Sequence, residues 1–105
     1  LRDLGCVTPG RLRHGERARV AGLVAARQKP PTAKGVAFFV LEDHHWRVQV
    51  VIGPELWEAH RQLLRDARAL VVEGVADVQG HARAVRAERL SELPVDVESV
   101  GYEYG

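Results

Sequence analysis

Two adjacent prolines followed by two runs of alternating apolar residues constrain this chain more than any other feature. In RQKPPTAKGVAFFVLEDHHWRVQVVI, residues 27–52, Pro30 and Pro31 each fix φ and remove an amide donor. Regular pairing therefore stops there, and a loop runs on to Lys34-Gly35. Residues 36–43 are rich in β-branched and aromatic side chains, which suit a pleated, half-buried surface. Leu41 is large and apolar, whereas Glu42 carries a charge rarely buried unpaired, so Ala37, Phe39 and Leu41 are predicted to face inward and Phe38, Val40 and Glu42 outward. The same alternation turns Val48, Val50 and Ile52 inward and leaves Arg47, Gln49 and Val51 outside. An outward Phe38 beside Arg47 and Gln49, with Arg27 and Lys34 at one end, has the parts of a platform on which a nucleic-acid base stacks while cations meet its phosphates. An exposed phenylalanine with no task is the plain alternative.

The flanking segments say what this platform is attached to. Residues 1–16 read as a lead-in anchored by Leu4, Val7 and Leu12, with Thr8 and Pro9 placed to cap and open a short helical turn. Residues 17–29 form a long strand in which Val20 and Val24 share a face with Gly22 between them, and a glycine there marks a bulge or a sharp coil. Pro54 opens one amphipathic helix, with Glu55 in its first turn and Arg65 and Arg68 in its last, as the macrodipole prefers. Leu56, Leu63, Ala67 and Leu70 make its apolar stripe, beside Trp57 and Leu64. Residues 69–78 and 81–90 are two more strands around a turn at Gln79-Gly80, the second carrying Arg83, Arg86 and Arg89. Three strands, a helix and two strands is the order of the five-stranded OB barrel, an all-β fold with one inserted helix. An SH3-like or other small barrel is the alternative, and the helical segment between the third and fourth strands favours OB. The expected division is lead-in 1–16, barrel 17–93 and acidic tail 94–105.

A chain of 105 residues, 46% hydrophobic and 28% charged, has room for one domain with a modest core. Its net charge of +1 hides a split: +6 over residues 1–35, −1 over 36–89 and −4 over 90–105. That asymmetry points to a polyanion partner for the first part. A lone Cys6 has no partner for an internal disulfide, and no apolar run is long enough to span a bilayer, so a soluble cytoplasmic protein is expected. His44 and His45 beside Asp43 lack metal-ligand spacing, and the phosphate-loop glycine pattern is missing. The expectation is therefore no enzyme, with no catalytic residue, metal, cofactor or small-molecule substrate.

The stretches 20–43, 48–64 and 69–93 resemble the OB domain near the C-terminus of bacterial DNA polymerase III α subunits, and the error-prone, translesion branch most closely. The resemblance rests on Arg27, Gln28, Pro30, Thr32, Ala33, Lys34 and Gly35, followed by the strand end Leu41, Glu42 and Asp43. A weaker kinship reaches the anticodon-binding OB domains of class II aminoacyl-tRNA synthetases, where positions like Phe38, Gln49 and Arg27 touch bases. The resemblance implies single-stranded DNA as partner, with other replication or repair proteins beside it, and a place on the nucleoid. It implies no catalysis, because the polymerase core and its metal-binding aspartates are absent from these residues. A protein-interaction OB barrel, or a stand-alone OB protein that binds RNA or tRNA, is the alternative. The candidate interface is Arg19, Arg27, Lys29, Lys34, Phe38, Trp46, Arg47, Gln49, Val51 and Arg86. One departure is His44-His45-Trp46, where the family turns on a glycine; Trp46 either adds a second stacking group or covers the turn.

The tail holds Asp96, Glu98 and Glu103 beside Tyr102 and Tyr104. Its charge suits folding back on the basic residues or docking to another replication protein, with a loose terminus as the plain alternative. Masking predicts that deleting residues 94–105 raises single-strand affinity in ~10–20 mM salt, where charges act over ~20–30 Å, and changes little in high salt. Equal affinity of the full and shortened chains in low salt removes the mask.

Overall fold

The structure, a computed structural model, describes residues 6–94. Strands β1 (Arg17–Gln28), β2 (Ala37–Glu42) and β3 (Arg47–Ile52) are followed by helices α1 (Pro54–Ala59) and α2 (Arg61–Asp66), then by β4 (Ala69–Gln79) and β5 (Ala82–Glu92). The strands close into a barrel in the order β1-β2-β3-β5-β4. The alternation read from residues 36–52 holds: Ala37, Phe39, Leu41, Val48, Val50 and Ile52 are all buried. They meet Val20, Leu70, Val72 and Val85 in one core, with Leu12 of the lead-in packed on it. The 3-10 turn Pro9–Arg11 opens on Thr8 as expected, although the Thr8 side chain makes no capping hydrogen bond. Leu4 and the whole acidic tail after Pro94 lie outside the described residues.

Closure depends on β1, whose first half pairs with β4 and whose second half pairs with β2. Between Val24 and Ala26 the β1–β2 register shifts, so Ala25 is an extra residue and the strand bends. Gly22 serves a different purpose from the bulge expected of it: a Cβ there would lie 2.8 Å from the Glu42 carbonyl oxygen and 3.1 Å from the Trp46 ring. A second register shift falls at Glu73/Gly74 on β4. There a Cβ on Gly74 would meet the Arg86 carbonyl oxygen at 1.9 Å, a distance no side chain tolerates.

The single helix expected from Pro54 is two helices of six residues, because His60 leaves helical geometry at φ −129° and ψ 30°. The His60 amide still donates to the Leu56 and Trp57 carbonyls, and Leu64 donates back to His60, so the break costs few hydrogen bonds. Its effect is to redirect the second helix. Leu64, expected beside the stripe, is fully buried, as are Ala67 and Leu70 of the stripe, while its Leu56 and Leu63, with Trp57 beside them, pack only at the margin. Gly74→Ala should destabilise the barrel by about 1–3 kcal/mol or more in urea unfolding, as overpacking against rigid backbone does. Gly10→Ala, at an exposed position with nothing within 4 Å of the added carbon, should stay within about 0.5 kcal/mol of the parent.

Candidate nucleic-acid interface

Register places the outward side chains of neighbouring strands in rows. Phe38 on β2 lies opposite Gln28 on β1 and Val51 on β3, and Val51 lies opposite Arg86 on β5. The next row is Ala26, Val40, Gln49 and Ala84. Three inter-strand gaps of about 4.8 Å make the first row about 14 Å long. Phe38, Val40 and Val51 are half-buried, whereas Gln28, Gln49 and Arg86 at the margins are exposed. The result is a small apolar floor rimmed by amides and a cation. Among the described residues, Gln28, Gln49, Lys34 and Arg86 make no side-chain hydrogen bond or ion pair that would have to break before a ligand bound. Arg47 is different: it pairs with Glu42 directly opposite, at 3.1 Å. With the arginine side chain 73% exposed, that pair contributes little to stability and yields readily to a phosphate.

Four residues expected in the interface stand elsewhere. Trp46 has the inward parity of Val48, and its ring packs over Gly22 against the core, so it covers the β2–β3 turn and does not join Phe38. Without a glycine, that turn is held by the Asp43 amide donating to the Trp46 carbonyl at 3.0 Å and the His45 amide donating to Asp43 Oδ1 at 2.8 Å. Arg19 lies on the far side of the barrel opposite Glu73, with Nη2 3.2 Å from the carboxylate. Arg27 lies opposite buried Phe39, not Phe38, because the extra Ala25 advances the register by one. Its Nε donates to the Leu64 carbonyl at 2.9 Å, another nitrogen donates to the Ala67 carbonyl, and the guanidinium sits 5.8 Å from the Phe39 ring centre. Lys29 holds its ammonium 5.4 Å from the Trp57 ring centre. Gln28, which sequence reasoning left off the interface, takes the place expected of Arg27. Parity counted back from Phe38 through an unbulged strand gives no such hint.

Lys34 stands in the loop between β1 and β2 with left-handed φ 55°, followed by Gly35 at φ 88°. That pair turns the chain into β2, and Gly35 lies against Pro54 at the start of α1. Burial pushes the Cys6 thiol up from its ordinary range, with the Arg19 guanidinium opposing it, so this thiol is a weak nucleophile at neutral pH. Among the described residues, no group of three or more His, Cys, Asp or Glu gathers where it would hold a metal ion. Nor is any helix among them long and apolar enough to cross a membrane.

A closed five-stranded barrel with its helical segment between the third and fourth strands, carrying an aromatic and cationic outer face, is an OB-fold binding module. The profile of OB-fold nucleic acid binding domains matches residues 18–93, and the chain belongs to that family. It consistently matches error-prone DNA polymerases from diverse bacteria. It is 45% identical over 83 residues to the enzyme of Pseudomonas aeruginosa, covering 79% of this chain and 8% of that protein. For the enzyme of Corynebacterium efficiens the identity is 42% over 81 residues, 77% of this chain and 8% of the relative. The chain thus spans about a twelfth of the length of these relatives. Asparaginyl-tRNA synthetase from Pyrococcus horikoshii shares the fold at TM-score 0.65 and 22% identity, covering 88% of this chain and 22% of that one. If Phe38 stacks on a base, Phe38→Ala should cost about 1–3 kcal/mol of single-strand affinity by fluorescence anisotropy, while its half-exposed site keeps the fold intact.

Proposed function

We propose that this chain is a single-stranded DNA-binding module of an error-prone DNA polymerase of the polymerase III α type, acting in the cytoplasm on the nucleoid during replication and translesion repair. The observation that carries the reading is the row Gln28, Phe38, Val51 and Arg86, an apolar floor with a cation at one end that has no partner among the described residues and Lys34 in the adjoining loop. A base stacks on Phe38 because every base has a π-face, and Arg86, Lys34 and Arg47 meet the phosphates. Gln28 and Gln49 offer amide donors and acceptors to base edges. The reading of DNA rather than RNA is supported by the relatives, which are error-prone DNA polymerases. A module of this size holds a template loosely by itself and gains from being tethered to its polymerase, since a linked site acts at high effective concentration. Other replication or repair proteins would then reach it through the parent chain.

Anisotropy titrations with labelled single-stranded DNA and RNA across a salt series test this reading. Affinity should fall as salt rises, and Lys34→Ala and Arg86→Ala should each reduce the log–log salt slope by about 0.7, the contribution of one phosphate contact on a single strand. A salt-insensitive interaction, or none with either nucleic acid, would favour a barrel whose partner is protein.

A further inference from the structure

Arg27 is spent on the protein itself. Its Nε and one Nη donate to carbonyls at the C-terminal end of α2, the end whose carbonyls lack helical partners. A guanidinium there also suits the negative end of the helix dipole. Its Cζ lies over the Phe39 ring, and Phe39 in turn meets Trp57 in a T-shaped pair with 6.3 Å between ring centres. Lys29, two residues on, lies over the same Trp57. The two cations that begin the β1–β2 loop are therefore both seated on the helical segment.

The far end of the loop is held as well. Pro30 accepts from the Ala33 amide at 3.1 Å and Ala33 from the Val36 amide at 3.1 Å, while Gly35 abuts Pro54. Loop residues 29–36 are thus pinned at the root by Arg27 and Lys29 and at the tip by Gly35. Lys34 lies between these anchors in the left-handed conformation, φ 55° and ψ 42°, that few non-glycine residues adopt.

Resting on the nucleic-acid reading of the Phe38 face, we infer that Arg27 is a positioning residue. It fixes the loop, and with it Lys34, relative to the platform, and it contacts no phosphate itself. Preorganisation of this kind shows as affinity without a new contact, because the cost of ordering the loop is met before the ligand arrives. The sequence expectation for Arg27 was the opposite, a direct phosphate contact.

The salt slope and a charge-keeping variant separate the two roles. Arg27→Ala should weaken single-stranded DNA binding about three- to tenfold at every salt concentration, as expected when loop ordering is charged to binding, with the slope unchanged. Arg27→Lys keeps the charge and loses the fork that spans two carbonyls, so it should be nearly as weak as Arg27→Ala. A slope reduced as in Arg86→Ala, with binding restored by Arg27→Lys, would overturn the inference and make Arg27 a phosphate ligand. Circular dichroism must show both variants folded at the temperature of measurement. Should neither fold, nuclear magnetic resonance of the arginine Nε–H groups in the unaltered chain decides: on adding a short oligothymidylate, the Arg86 signal should move and the Arg27 signal stay. A shift at Arg27 as large as that at Arg86 would overturn the inference. If neither Lys34→Ala nor Arg86→Ala alters the slope, the reading of the face itself fails, a result distinct from either outcome for Arg27.

Discussion

One strand has to serve two neighbours at once, and the barrel exists only because β1 does so. Its first half is hydrogen-bonded to β4 and its second half to β2, which requires twelve residues to bend sharply without losing either partner. The extra Ala25 supplies the bend, and Gly22 lets the end of β2 and the Trp46 ring come close enough to seal that end of the core. Gly74 performs the equivalent service between β4 and β5. With these three positions set, the valines and leucines of the interior have only one place to go.

Much of this was legible beforehand, and for a clear reason. Strict alternation across residues 36–52 ties each side chain to a face, so the inward set Phe39, Leu41, Val48, Val50 and Ile52 and the outward set Phe38, Gln49 and Val51 follow from the residue types alone. The order of strands and helical segment then leads to the OB topology. Counting alternation works only in an unbroken strand, and alanine carries no mark of belonging inside or outside. The bulge at Ala25 therefore moved Arg27 off the face and Gln28 onto it with no signal in the sequence. Trp46 was open to either reading because it stands in the turn itself, where alternation does not bind a side chain to a face. The break at His60 was hidden because the residues on both sides suit a helix, and what divides them is the demand of the barrel end for Leu64.

The family assignment and the geometry bear on different questions. The resemblance to error-prone polymerases is read from runs such as Arg27, Gln28, Pro30 and Thr32 to Gly35, much of which shapes and anchors a loop. Of these residues, Gln28 is exposed in the row of Phe38 and Lys34 in the adjoining loop, and neither makes a side-chain hydrogen bond or ion pair among the described residues. A shared motif can persist for the sake of loop shape while the contacts are made by residues around it.

The barrel closes through a short parallel seam, Gln49–Val51 against Ala84–Arg86, whereas its other pairings are antiparallel and longer. Parallel pairing is slightly weaker per residue, and a stretch of three residues is where such a barrel would gape first. The row from Phe38 through Val51 to Arg86 crosses that seam. On the proposed reading, a strand lying along it would grip both lips of the opening, so occupancy and closure would be thermodynamically linked: the bound strand would act as a suture, and a barrel that breathes at this edge would loosen its hold on the strand in proportion.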